Sequence, residues 1–226
     1  RKAVDAMNVF PVPDGDTGTN MSLTILNGIS EVAKSGSESL STVAKIFSRG
    51  LLMGARGNSG VILSQIFRGF AQYAKDKEEL TVKEFSEALM NGSKMAYKAV
   101  MRPTEGTILT VVRESAEYGE IFINDHPEAS MEEFVNYIVD EANASLQRTP
   151  ELLDVLKEAH CVDSGAMGYV TILEGFKSYL QGKPITENLA GDTADTEVHE
   201  KASGYRVEYI ISLSDNGKKT FKEERV

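Results

Sequence analysis

Apolar residues recur at every third or fourth position through most of the first 182 residues, which is the spacing of an amphipathic helix. The clearest stripes lie in residues 41–53, 58–73 and 164–180. Thr81 and Ser130 are each followed by a glutamate three positions later, the spacing of a capping box that begins a helix. The pattern predicts an all-α antiparallel up-and-down bundle or helical barrel of about eight helices in residues 1–182.

Two of the predicted helix boundaries rest on single residues. A helix that begins near Gly106 is expected to end at Gly119, because glycine is common just after a helix C-terminus. Pro150 is expected in the first turn of a short helix that ends near Glu158, because proline suits a position whose N–H would have no helical partner.

The character of the chain changes after Gly182. Residues 183–204 are poor in apolar side chains and are typical of a linker. Apolar and polar residues then alternate from Tyr205 to Leu213, which predicts a strand, and the Asp-Asn-Gly of residues 215–217 favours a hairpin turn. Because two strands alone are marginal in water, residues 205–226 are expected to begin a further domain that is cut short. The start without a methionine likewise indicates a fragment of a longer protein.

Composition and charge narrow the classes of function. Hydrophobic residues make up 41% of the chain and charged residues 26%, which is ordinary for a globular domain, and no apolar run approaches the roughly 18 residues that cross a bilayer. The net charge of −10 disfavours binding to nucleic acid, whose phosphates repel an acidic surface. Cys161 is the single cysteine, which excludes an internal disulfide and indicates a reducing, cytoplasmic location.

The segment richest in candidate chemistry is residues 8–21, Asn-Val-Phe-Pro-Val-Pro-Asp-Gly-Asp-Thr-Gly-Thr-Asn-Met. Asp14 and Asp16 flank Gly15, so their carboxylates can converge on one point, and such a pair calls for a hard cation such as Mg²⁺. Residues 17–20 follow and open a helix, whose free N–H groups and hydroxyls suit phosphate oxygens. The structural alternative is an ordinary Asp-Gly turn followed by a helix cap.

Three further loop-to-helix junctions are rich in small and polar residues. They are residues 54–60 (Gly-Ala-Arg-Gly-Asn-Ser-Gly), 102–107 (Arg-Pro-Thr-Glu-Gly-Thr) and 163–168 (Asp-Ser-Gly-Ala-Met-Gly). Taken singly, each also fits a structural role, with Gly57 as a C-cap and Asp163 as an N-cap. Because alternate connections of an up-and-down bundle lie at the same end, the four junctions are expected to gather at one rim as a phosphate cradle with metal.

Together these segments resemble the ATP-binding L-domain (Dak2-type) family of dihydroxyacetone kinases, and most closely the N-terminal domain of the bacterial fatty-acid kinase ATP-binding subunit. The resemblance covers about residues 1–182 and is carried by residues 8–21, 54–65, 102–110 and 163–168. It implies an antiparallel α-helical barrel that binds ATP with two Mg²⁺ ions at one rim. It also implies a longer parent protein, whose further domains are the expected place of any homodimer contact.

The resemblance assigns roles to individual residues. Asp14 and Asp16 match the family's Mg²⁺-binding aspartates, and Asn8 lies near the place of a third aspartate, at slightly different spacing. Arg56 is added to Asp14 and Asp16 in the expected catalytic set because its charge could neutralise phosphate, not because of the resemblance. The expected nucleotide contacts are Thr17, Gly18, Thr19, Asn20, Asn58, Ser59, Gly60, Thr107, Asp163, Ser164 and Gly165.

The implied activity is Mg²⁺-dependent phosphoryl transfer from ATP to a fatty-acid carboxylate that a separate fatty-acid-binding protein presents, giving an acyl phosphate. A carboxylate is already ionised at pH 7, so this acceptor needs no general base. Three alternatives remain open. One is a kinase subunit for a small hydroxy-ketone such as dihydroxyacetone, which Asn8 and Thr17 disfavour because that family has Asp and His there. The others are a non-catalytic ATP–Mg²⁺ sensor and a purely structural bundle.

Overall fold

A computed structural model describes residues 1–183, and all regular structure in this part of the chain is helical. The helices are α1 (Lys2–Asp5), α2 (Thr17–Ser35), α3 (Leu40–Met53), α4 (Gly57–Tyr73), α5 (Val82–Ala99), α6 (Ile108–Asp125), α7 (Met131–Leu152), α8 (Asp154–Glu158) and α9 (Ser164–Leu180). The predicted all-α class is confirmed for these residues. The predicted linker beyond Lys183 and the predicted strands lie outside the described residues.

Local capping chemistry begins two of the long helices where the sequence predicts it. At the start of α5, the Glu84 N–H donates to Thr81 Oγ1 at 3.2 Å, and the Thr81 N–H donates back to the Glu84 carboxylate at 2.9 Å. Ser130 and Glu133 form the same reciprocal pair at the start of α7. Both capping boxes satisfy N–H groups that the first turn of a helix otherwise leaves unpaired.

The predicted helix end at Gly119 and the predicted helix start at Pro150 are wrong, whereas the short helix expected to end near Glu158 is present as α8. Gly119 lies inside α6, where a Cβ would meet Ile138 and Phe134 at 3.0–3.1 Å, so the missing side chain allows α7 to approach rather than ending the helix. Pro150 lies near the end of α7 instead of starting a helix. Its missing N–H would have served the Leu146 carbonyl, and the Thr149 hydroxyl donates to that oxygen at 2.7 Å instead.

The long helices close a ring. Each of α2 to α7 packs against the next along the chain, α9 packs on α7 and α6, and α9 also returns to α2. Because short loops join successive helices, neighbours run antiparallel, so α2, α4 and α6 begin at the same end of the ring. The five-residue α8 lies between α7 and α9, and with it α9 begins at that end too.

The core of the ring is continuous but not completely filled. Its centre contains fully buried side chains from α4, α6, α7 and α9, including Leu63, Val111, Phe134 and Leu173. Towards the end where α2, α4 and α9 finish, an apolar cavity of about 420 Å³ remains between α2, α3, α4, α5 and α9. Within residues 1–183, no helix combines the length and the hydropathy that a membrane span requires.

Candidate active site

A cavity of about 590 Å³ lies at the end of the ring where α2, α4, α6 and α9 begin. All four junctions singled out in the sequence contribute to its wall. The expected site residues that line it are Asn8, Asp14, Asp16, Thr17, Asn20, Asn58, Ser59, Thr107, Asp163, Ser164 and Gly165. Segments that are up to about 150 positions apart in the sequence therefore meet around one space.

The acidic loop enters this wall through a tight turn. Gly15 has φ +67°, a left-handed conformation that favours glycine, and it separates the two aspartates. The buried Asn8 side chain donates from Nδ2 to Asp14 Oδ1 at 2.5 Å. Burial raises the pKa of Asp16 above its usual 3.8, and the carboxylates of Asp14 and Asp5 add to that rise against a lowering hydrogen bond from Asn20. The loop therefore gathers negative charge.

The donor set of this loop fits one kind of metal site and not another. In residues 1–183, no three His, Cys, Asp or Glu side chains converge so as to hold a metal ion on their own. Mg²⁺ is commonly held by one or two carboxylates, with water and substrate phosphates completing its shell. Asp14, Asp16 and the Asn8 amide therefore fit a Mg²⁺ that arrives with a phosphorylated ligand, and they do not fit an independent structural metal.

Two expected nucleotide contacts at the start of α2 are turned towards α1 instead. The Thr19 N–H and hydroxyl both donate to the Asp5 carboxylate, each at 2.9 Å. At Gly18, an added Cβ would lie 2.8 Å from the Val4 Cβ, so the glycine allows α1 to pack on α2. Neither Gly18 nor Thr19 lines the cavity, and Asp5 is a partner that the sequence motif did not indicate.

In the glycine-rich turn between α3 and α4, likewise, some of the expected site residues line the cavity and others do not. Asn58 and Ser59 line the cavity, whereas Gly60 is buried against Thr24 of α2. Arg56 occupies the N-cap position of α4, is exposed, and does not line the cavity. Among the described residues, Arg102 is the one lysine or arginine in the wall.

Asp163 joins the starts of two helices. Its side chain is 4% exposed, and its carboxylate accepts the Ala166 N–H at 2.8 Å together with the N–H groups of Gly165 and Ile108. Burial raises its pKa from 3.8 to about 6, and these hydrogen bonds offset only part of that rise. The residue is therefore an N-cap of α9 that also holds the start of α6, while forming part of the cavity wall.

The loop before α6 is held by a network that sequence reasoning missed. The Glu105 carboxylate accepts hydrogen bonds from Thr110 at 2.6 Å, Arg113 at 3.1 Å and Tyr97 at 3.0 Å. Burial tends to raise the pKa of Glu105, but these three donors together hold it below 4.5. Thr107 caps α6 and donates its hydroxyl to Thr104 O at 2.7 Å. The loop that carries Thr107 therefore presents a fixed surface to the cavity.

An apolar sector of the wall was also missed. It consists of Phe10, Pro11, Val12, Val61, Ile62, Ala99, Val100, Met101, Ile108 and Leu109. Several of these side chains are exposed, with Val12 58% and Met101 fully accessible to solvent. In the sequence they are indistinguishable from core residues, because helical spacing does not reveal which apolar side chains end up beside a cavity.

Most of this chain is similar to known proteins. The chain matches the DAK2 domain over residues 11–178. Protein YloV of Bacillus subtilis (strain 168) is 45% identical over 235 residues, which cover 98% of this chain and 42% of that protein. Uncharacterized proteins of Staphylococcus epidermidis (strain ATCC 12228) and Staphylococcus aureus (strain USA300) are 42% and 43% identical, with the same coverage. The chain thus spans less than half the length of these relatives. Since the match extends over most of its residues, the chain belongs to the DAK2 domain family.

Proposed function

We propose that this domain binds ATP with Mg²⁺ in the 590 Å³ cavity and transfers the γ-phosphoryl group to a fatty-acid carboxylate presented by a separate protein. The observation that carries the proposal is the meeting of four helix starts with the Asp14–Gly15–Asp16 turn around one cavity. Membership of a kinase-related family supports the reaction class.

The helix starts supply donors for phosphate oxygens. In α4, the first N–H with a hydrogen-bond partner in the helix is that of Gly60, which donates to Arg56 O at 3.0 Å. The N–H groups of residues 57–59 therefore have no partner within the helix. At the start of α9, which lines the same wall, the Gly165 and Ala166 N–H groups already donate to Asp163, so only the Ser164 N–H remains for a phosphate oxygen. Helix N-termini with free N–H groups are favourable sites for phosphate.

A positively charged side chain in the cavity wall completes the proposed phosphate site. Arg102 has no hydrogen-bond or ion-pair partner among the described residues, so its guanidinium is available to a bound anion. We assign the cation role to Arg102 first and keep Arg56, at the N-cap of α4, as the second candidate. The apolar sector of the wall suits the flat face of a nucleobase, whose burial is favoured by the hydrophobic effect.

The chemistry requires positioning more than acid–base catalysis. Asp14, Asp16 and Asn8 would hold Mg²⁺, which when bound neutralises charge on the phosphate oxygens. Within residues 1–183, no histidine lines the cavity. An acyl carboxylate is compatible with that wall, because it is ionised at pH 7 and attacks without giving up a proton. A hydroxy-ketone acceptor would differ in needing one of the carboxylates in the wall to accept its hydroxyl proton.

Calorimetric titration of the chain with ATP in the presence of Mg²⁺ tests the binding site. Asp14→Asn and Asp16→Asn are each expected to weaken Mg²⁺-dependent ATP binding at least about tenfold, because each removes a charged ligand without changing size. Asp76→Asn is the matched control, since Asp76 is exposed at the far end of α4. Wild-type affinity in both site variants, or no binding by the wild type, would contradict the proposal.

The same titration separates the two arginines. Arg102→Ala is expected to weaken ATP binding more than Arg56→Ala, and the reverse order would transfer the cation role to Arg56. ADP formation is then measured with a fatty-acid-loaded binding protein and with dihydroxyacetone-loaded protein. Turnover with the fatty acid supports the proposed acceptor. Binding without turnover in either case would identify an ATP–Mg²⁺ sensor.

A further inference from the structure

Thr24 lies in α2, two turns after the acidic loop, and does not line either cavity. Its side chain is 0% exposed. The hydroxyl donates to Asn20 O at 2.7 Å and accepts the Arg56 N–H at 3.2 Å. One buried hydroxyl therefore joins the helix that follows the acidic loop to the N-cap residue of α4, 32 positions away in the sequence.

The glycine-rich turn packs so closely against this part of α2 that side chains larger than glycine would clash. At Gly60 an added Cβ would lie 2.5 Å from Thr24 Oγ1, and at Gly57 it would lie 2.5 Å from Asn20 Nδ2. Gly57 also has φ +60°, which a residue with a side chain rarely adopts. The position of the turn is thus set by contacts with Asn20 and Thr24.

We propose that Thr24 is a positioning residue that fixes residues 54–60 against the helix carrying the acidic loop. The hydrogen bond to Arg56 sets the entry of the chain into α4, and the next three residues, Gly57, Asn58 and Ser59, line the cavity. Thr24 itself does not touch the nucleotide. The expected effect of Thr24 on ATP binding rests on the proposed function, whereas its role in fixing the position of residues 54–60 does not.

Two substitutions separate the hydroxyl from the shape of the side chain. Thr24→Val keeps the branched shape but leaves the Arg56 N–H without its acceptor, and Thr24→Ser keeps the hydroxyl. Thr171→Val is the matched control, because Thr171 also donates from its helix to the carbonyl four residues earlier, Met167 O at 2.9 Å, and is exposed. The control removes the same kind of hydrogen bond within a helix, and it removes no hydrogen bond to another segment.

The first measurement is amide hydrogen exchange at Arg56 by NMR on the full chain without nucleotide. Thr24→Val is expected to accelerate exchange of this amide at least about tenfold, because the N–H loses its buried acceptor. Thr24→Ser and Thr171→Val are expected to exchange at the wild-type rate. Equal Arg56 exchange in wild type and Thr24→Val would overturn the proposal.

The second measurement is the dissociation constant for ATP with Mg²⁺, with the thermal midpoint of each apo variant recorded beside it. Thr24→Val is expected to bind about tenfold more weakly, with Thr24→Ser restoring the wild-type affinity. Equal weakening in both variants would assign the effect to packing and overturn the positioning role. If the wild type itself binds no ATP, the proposed function fails, and exchange at Arg56 still decides whether Thr24 holds the turn.

Discussion

At the scale of single residues, Asp163 shows how one carboxylate serves both the fold and the cavity. It accepts N–H groups from the starts of α6 and α9 while it is almost completely buried. Because it is negative when ionised, it also offsets part of the positive potential of those helix ends. Under the proposed function, a phosphate group beside them would therefore depend on the other two helix starts, on Arg102 and on a divalent cation.

The raised pKa of Asp163 predicts a pH dependence of stability. A carboxyl group whose folded pKa, about 6, lies above its unfolded value of 3.8 binds its proton more tightly in the folded state. The stability it contributes is complete below 3.8 and is lost as the pH rises through about 6. Asp163→Asn keeps a cap acceptor without the charge. As the pH rises from about 4 to 7, the free energy of unfolding of this variant should therefore increase by about 3 kcal/mol relative to that of the wild type.

Urea denaturation at pH values across this window measures the difference. Asp154→Asn is the control, because Asp154 is exposed in the first turn of α8 and its replacement should give a curve parallel to the wild type. If the Asp163→Asn curve were also parallel to the wild type, the buried carboxyl would not titrate in this range.

At the scale of helices, α4 and α5 come into backbone contact. An added Cβ at Gly69 would lie 2.5 Å from Asn91 O and 2.7 Å from the Gly92 Cα. The Asn91 side chain donates to Gly69 O at 2.6 Å across the same contact. Glycine is a poor helix former, so its presence inside both helices is explained by this approach and not by helix propensity.

Two glycine-to-alanine substitutions test that explanation. Gly69→Ala is expected to lower the free energy of unfolding by about 2 kcal/mol, because α4 and α5 must separate to admit the methyl group. Gly175→Ala in α9 is expected to raise it by about 0.5–1 kcal/mol, since no atom of residues 1–183 outside the local helix backbone lies within 4 Å of the added Cβ and alanine favours the helix. Chemical denaturation measures both, and a gain in stability for Gly69→Ala would contradict the close contact.

Helix boundaries were predictable where the signal is local. The capping boxes at Thr81 and Ser130 use partners three residues apart, so the sequence alone identifies them. The places of Gly119 and Pro150 in their helices could not be predicted from local signals. Their positions depend on the approach of α7 and on a hydroxyl that replaces the missing N–H, and neither is visible in helical spacing.

At the scale of the whole molecule, the ring depends on a small set of buried aromatic side chains. Phe134 of α7 is fully buried, packs edge-on against Phe85 with ring centroids 6.1 Å apart, and lies 6.3 Å from the Phe122 ring. It connects α5, α6 and α7 on the inside of the ring. Of these three helices, α6 begins and α5 ends at the 590 Å³ cavity.

Phe134→Ala is expected to lower the free energy of unfolding by about 3–5 kcal/mol, because it removes a fully buried ring and leaves a void between three helices. Ile121→Ala is the control, since Ile121 is 55% exposed on α6 and its truncation should change stability by less than about 0.5 kcal/mol. Denaturant titration of both variants provides the measurement. Similar losses in the two would show that Phe134 is not part of a close-packed core.

The sequence by itself determined the all-α class and the four junctions that carry the candidate chemistry. Both follow from short-range rules, namely helical spacing, capping and the small polar residues that cluster at helix starts. Only the tertiary structure decided which members of each junction line the cavity. Asp5 binds Thr19, Arg102 lines the wall that Arg56 does not, and Thr24 holds the turn before α4. These outcomes depend on contacts between residues far apart in the sequence, and no local pattern records where such side chains meet.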